Sequence, residues 1–214
     1  MIIITAKIIF SSTETYNIDS DNLISLNVDM YDRGDLSLPN WGIVSNGGDL
    51  EFFDWDGTIL SKTNNNQLNS SYTIEVYLEN TENENKELIA IKTTDTWDYD
   101  NNNFHASVQL IDDLVEWQDI QIKGIPFNFL QPNPQNGKYF YEELYKFTPT
   151  KYKMTSYTAL DSATKTHLES ITIKYPILKS SSLWDAWHKL CVVFQLHIFK
   201  GKNGSTMCYY NGGN

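Results

Sequence analysis

The sequence predicts a mainly β protein: a β-barrel or sandwich over residues 1–123, then a smaller α+β domain over residues 138–214. Three observations carry this expectation. Short apolar runs with period-two alternation recur roughly every ten residues as far as Lys123, separated by Gly, Asn and Asp. Residues 124–137, GIPFNFLQPNPQNG, hold three prolines and two glycines and read as a linker. Beyond them, apolar residues fall at helical spacing and then at hairpin spacing.

The elements follow in order. Ile2–Phe10 is a first strand, within an N-terminus that reads as a strand rather than a signal peptide because a lysine interrupts it and no small-residue cleavage site follows. In Leu23–Met30, Ile24, Leu26, Val28 and Met30 are expected to share one face and Ser25, Asn27 and Asp29 the other. Pro39 and four glycines make 32–48 a long irregular connection. Leu50–Trp55 and Thr58–Ser61 flank Asp56-Gly57, a dipeptide suited to a tight hairpin. Ser71–Leu78 alternates Tyr72, Ile74, Val76 and Leu78 against Thr73, Glu75 and Tyr77. Two more strands, Glu87–Thr96 and Asn103–Ile111, surround Asp100-Asn101-Asn102. Asp112–Asp119 is a single helical turn, with Asp112 as its cap and Leu114 and Trp117 on one face. After the linker, Lys138–Phe147 is helical, Ser156–Ser170 is ambiguous, and Ile171–Tyr175 is a strand. Ser181–Phe194 is the clearest helix, with Ser182 and Asp185 at capping-box spacing and a stripe of Trp184, Trp187, Cys191 and Phe194. Gln195–Lys200 and Ser205–Tyr210 close the chain as a hairpin around Asn203-Gly204.

Composition narrows the function classes. The 214 residues are 41% hydrophobic and 14% aromatic, enough for a packed core. The net charge is −11, and Arg33 is the sole arginine, so the surface repels phosphate and specific nucleic-acid recognition is not expected. Cys191 and Cys208 have no partner at zinc spacing and read as small buried hydrophobes. No window reaches the roughly 18 apolar residues that a membrane span requires, so a soluble protein made in a cytoplasm is expected.

No strong catalytic motif is present, and no cofactor signature either: there is no phosphate-cradling glycine loop, no G-x-S-x-G and no H-E-x-x-H. The sharpest metal candidate is Asp54 with Asp56 in DWDG, which resembles half of a calcium loop. The third carboxylate and the closing glutamate are missing, and a hairpin corner explains the same residues. Asp98 and Asp100 in DTWDYDNNN read in the same way, as part of a turn rather than a metal loop. The pairs Asp112/Asp113 and Glu142/Glu143 cannot each face one another across a cleft, as glycoside hydrolysis needs. Asp185, His188 and Cys191 would lie on one side of the last helix, but Cys191 belongs to the apolar stripe. Trp41, Trp55 and Trp97 are candidate ligand or interface aromatics, able to stack on sugars or to pack across strands.

The order of the pieces carries a resemblance. A strand and turn lead to DLSLPNWGIVSNGGDLEFFDWDGTI, then YTIEVYLEN, then WDYDNNNFHASVQLIDDLVEWQDI, and later SSLWDAWHKLC with a closing hairpin. This resembles bacteriophage tail hub and baseplate proteins, whose β-barrels are related to the tail-tube fold. The resemblance spans nearly the whole chain and rests on order and texture. It implies a virion structural protein of the tail, a homo-oligomeric ring bound to other tail or baseplate proteins, with no catalysis, no cofactor and DNA passing through an acidic lumen. It also implies synthesis in the bacterial host cytoplasm. The chain stops at Asn214, where hub-like proteins often continue, so a short relative, a fragment and a protein completed by another chain are all among the expectations. Two other classes stand beside this one: a carbohydrate- or receptor-binding β-module of the tail, with Trp41, Trp55 and Trp97 on one face, and a cell-wall hydrolase.

Overall fold

A computed structural model of the protein describes residues 2–28, 42–45, 47–64, 72–80, 82, 85–122, 134–173 and 182–210, with the backbone alone described at 63, 64, 95 and 96. The first elements are β1 (Ile2–Ile9), β2 (Thr15–Ile18), β3 (Leu23–Val28), β4 (Gly42–Ile43), β5 (Gly47–Phe53) and α1 (Thr58–Asn64). Next come β6 (Tyr72–Asn80), β7 (Asn85–Asp100), β8 (His105–Ile111) and a 3-10 turn at Asp113–Gln118. Then follow β9 (Gln135–Asn136), α2 (Gly137–Phe147), α3 (Ser162–Ser170), β10 (Thr172–Ile173), α4 (Leu183–Phe194), β11 (Leu196–Lys200) and β12 (Thr206–Tyr210). Pro39, most of the 32–48 connection and most of the 124–137 linker lie outside the described residues.

The chain divides into two compact units. The first comprises Met1–Met30, Asn46–Asp112 and Lys202–Gly204; the second comprises Tyr31–Ser45, Asp113–Gly201 and Ser205–Asn214. This division does not fall at the expected linker. The 3-10 turn goes with the second unit because Leu114 and Trp117 bury themselves in that unit's core. Gly42 and Ile43 go with it because β4 pairs in parallel with β11.

The first unit is one antiparallel sheet in the order β2-β1-β6-β7-β8-β5-β3. It is not a closed barrel: among the described residues β2 and β3 remain edges, although only residues 19–22 join them. Those residues form a local turn, with Asp19 N–H on Asn22 Oδ1 at 2.8 Å and Leu23 N–H on the Asp19 carbonyl at 2.8 Å. The sheet curls nonetheless, so the arrangement is sandwich-like. Tyr16 on β2 packs 5.7 Å from Phe52 on β5 and donates to the Phe53 carbonyl at 3.3 Å. One cluster holds Ile8, Ile18, Leu50, Phe52, Ile74, Val76 and Leu110. Register shifts between Leu23/Ser25, Val76/Tyr77 and Thr93/Thr96 supply the bends.

The first of those shifts corrects the expected face of β3. Ile24 is the extra residue and turns outward at 42% exposure, while Leu23, Leu26 and Val28 pack on the core. The expected strand at Thr58–Ser61 is also wrong, since those residues open α1. Strand β2 has no counterpart among the sequence expectations; its four residues are too short to show a period.

In the second unit, the core centres on Trp187, fully buried, with Tyr141 at 5.1 Å and Trp117 at 6.2 Å. Its indole N–H donates to Thr148 Oγ1 at 2.9 Å. Helices α2, α3 and α4 are capped by Asn136, Asp161 and Ser182, whose side chains accept the N–H groups of Tyr139, Thr164 and Asp185. The stripe on α4 is as expected at Trp187, Cys191 and Phe194, with Leu183 and Leu190 beside it; Trp184 is only partly buried. Helix α3 resolves the ambiguous stretch 156–170. The hairpin β11–β12 pairs Leu196 with Tyr210 and Lys200 with Thr206, and Gly204 takes φ +73° at its corner. Among the described residues, no helix is long and apolar enough to cross a membrane.

Candidate functional site

The DWDG corner joins β5 to α1, and its two aspartates are engaged in hydrogen bonds. Asp54 is fully buried. Its Oδ1 accepts the N–H of Ile59 at 3.1 Å, and its Oδ2 accepts the N–H of Leu60 at 2.9 Å and the hydroxyl of Tyr99 at 3.0 Å. A carboxylate at the start of a helix satisfies amides that have no partner within the helix. Asp56 is exposed, and its Oδ1 accepts the N–H of Thr58 at 2.9 Å. Both aspartates therefore serve the first turn of α1, and Asp54 has no oxygen without a donor. No group of three His, Cys, Asp or Glu side chains among the described residues is placed to hold a metal.

Three loops meet at this end of the first unit. The Asp54 N–H donates to the Phe104 carbonyl at 2.7 Å, the Phe53 N–H to the Asn22 carbonyl at 2.8 Å, and the Trp55 indole N–H to the Asp21 carbonyl at 3.4 Å. Tyr99 and Tyr16 both lie inward of the corner, and both phenols are pushed up to about 12. Burial is the main cause for each; the carboxylate of Asp54 adds to it at Tyr99, and those of Asp56 and Asp54 add to it at Tyr16.

The expected tryptophans separate. Trp55 is 61% exposed, stacked on Phe53 with ring centroids 4.5 Å apart and planes at 22°. Trp97 does not share its face. It packs against the core and meets the Tyr72 ring at 6.3 Å. The shift in β7 between Thr93 and Thr96 resets the alternation, so that Trp97 and Tyr99 turn inward and Asp98 outward. Trp41 lies outside the described residues. Tyr99, which the sequence offers as a surface aromatic, instead turns inward onto Asp54, and Phe53, which carries the stack under Trp55, does not stand out in the sequence. The signal for Phe53 is its parity with Glu51 along a strand whose Leu50 and Phe52 point inward.

The other candidates do not assemble. Cys191 is fully buried, and burial holds its thiol well above the usual range. His188 is exposed over Gly42, and Asp185 pairs with Lys189 at 2.7 Å. Asp112 is buried against Lys92 at 2.9 Å, Asp113 pairs with Lys200 at 2.8 Å, and Glu143 pairs with Lys146. Asp100 accepts the Asn102 N–H at 2.9 Å and the Asn103 amide at 2.7 Å. Those bonds hold its carboxyl below the usual carboxylate range and tie the β7–β8 turn. A shallow pocket of about 390 Å³ lies between α3 and β12, where His167 stacks on Tyr210 at 3.5 Å and donates to the Phe194 carbonyl at 2.9 Å.

No family model matches the sequence, and no curated protein does. Among solved structures, the chain is similar to the crystal structure of a 43 kDa tail protein of prophage MuSo2 from Shewanella oneidensis, with a TM-score of 0.51 at 10% identity. The likeness covers 98% of this chain and 56% of that one. At this identity the likeness is one of fold, and the chain spans little more than half the length of the tail protein.

Proposed function

We propose that this chain is a structural subunit of a bacteriophage tail, placed in the virion between the tail and its host-recognition apparatus. The single observation that carries the reading is that 98% of the chain follows the fold of a prophage tail protein. The order of sequence pieces that resembles tail hub and baseplate proteins supports it independently, because that resemblance uses no coordinates.

In this reading the chain works by assembly with copies of itself and with other tail or baseplate proteins, as a ring through which DNA passes. The net charge of −11 supports a lumen to which DNA does not adhere. Among the described residues β2 and β3 are the edges of the sheet, the kind of strand that can take up a neighbouring strand. The reading assigns the chain no catalysis. Its support here is that the strongest thiol candidate is fully buried, and that Asp112, Asp113 and Glu143 are each engaged with a lysine.

Native mass spectrometry of the full chain tests the assembly. The expected result is a closed multiple of the chain mass that persists on dilution to about micromolar concentration, the range of a specific interface. A monomer across the whole concentration range contradicts the ring.

A further inference from the structure

We propose that the Trp55–Phe53 corner is a binding site for the face of a neutral sugar ring in a glycan. Trp55 is an exposed indole that is nonetheless fixed, stacked on Phe53 at 4.5 Å and tethered through its N–H to the Asp21 carbonyl at 3.4 Å. Its orientation is set before any ligand arrives, so binding does not have to freeze it.

The residues beside this platform are hydrogen-bonding ones. Glu51 and Phe53 stand on the same side of β5; His105 pairs with Phe53, and Ser107 pairs with Glu51. On β7, Asp98 pairs with Ser107 and is exposed. Glu51 and His105 approach to 3.8 Å and are each about a third or more exposed, at 41% and 34%. An apolar plate bordered by carboxylate, imidazole and hydroxyl groups suits a ligand with one apolar face and a rim of hydroxyls. A pyranose ring is such a ligand.

Charge excludes the competing small ligands. Residues 47–57 and 101–111 contain no lysine or arginine, while Asp49, Glu51, Asp54 and Asp56 all fall in the first of those stretches. Phosphate, sulfate and acidic sugars are therefore repelled. A purely apolar partner would cover Glu51 and Asp98 without satisfying them. The inference does not depend on ring assembly, and its failure leaves the tail reading where it stands.

The test is titration of the full chain with chitotetraose, cellotetraose, mannotetraose and galactotetraose, with sialyllactose as the acidic control, followed by calorimetry and ligand-observed NMR. The expected result is saturable binding of at least one neutral sugar and none of sialyllactose. Trp55→Ala should weaken that binding by about tenfold or more with an unchanged melting curve. Glu51→Gln, which keeps the platform, should weaken it by a smaller factor and guards against a folding defect in the first variant. Absence of binding by every neutral sugar overturns the proposal, as does equal binding by wild type and Trp55→Ala. Concentration-dependent self-association abolished by Trp55→Ala, with no sugar bound, would instead make the corner a protein contact and also overturn it.

Discussion

Asp54 is fully buried and accepts three hydrogen bonds, two of them from the first turn of α1. Replacing it with alanine removes a cap and leaves the Tyr99 hydroxyl without its acceptor. Asp54→Ala should therefore lower the unfolding free energy by about 2–3 kcal/mol in urea titration, whereas millimolar calcium should leave the wild-type transition unmoved. Lys92 and Asp112 form a buried ion pair at 2.9 Å. Lys92→Ala should cost about 3–5 kcal/mol because it strips a buried carboxylate of its cation, and Lys92→Met with Asp112→Leu should recover much of that. The raised phenols give a pH dependence. Tyr16 and Tyr99 titrate near 12 when folded and near 10 when unfolded, so the unfolded chain loses its protons first as pH rises. Stability is fully present below about pH 10 and falls between about 10 and 12. Tyr99→Phe should flatten that alkaline slope in denaturation followed by circular dichroism.

At the scale of elements, close approaches of backbone decide what can change. A Cβ on Gly48 would sit 2.2 Å from the Asn27 carbonyl oxygen, where β3 and β5 pair at Val28 and Gly48. The obstruction is backbone and cannot rotate away, so Gly48→Ala should destabilise by about 1–3 kcal/mol and raise hydrogen exchange in β3 ahead of β6. At α4, Ser182→Ala should cost about 1 kcal/mol by removing the bond to the Asp185 N–H. Elements with a long period or a strong cap were legible in the sequence: β1, β6, α2, α4 and the final hairpin. The 54–64 stretch was not, because Asp56-Gly57 serves a hairpin corner and a helix start equally well. What separates the two is the burial of Ile59 and Lys62 on one side of a helix, which depends on packing. Bulges hid the rest. Ile24 and Trp97 both follow a period of two in the sequence, and a register shift puts each on the opposite side.

For the whole molecule, the mainly β first part and mixed α/β second part were legible, whereas barrel closure was not. Closure depends on whether the two edge strands find a register, and a short turn at 19–22 joins them without one. The units interleave along the chain, with 31–45 and 205–214 belonging to the second, because strand pairing joins segments far apart in sequence. Of the candidate corner, the sequence disclosed Asp54, Trp55 and Asp56, but the roles of these residues became clear only with Phe53, Tyr99 and Phe104 beside them. The proposed place in a phage tail is checked most directly by mass spectrometry of tailed particles purified from cells that carry the gene, with and without its removal. The expected result is the chain in the tail fraction at a fixed ratio to the tube protein, and particles without functional tails when the gene is removed. Intact, infectious particles that lack the chain would contradict it.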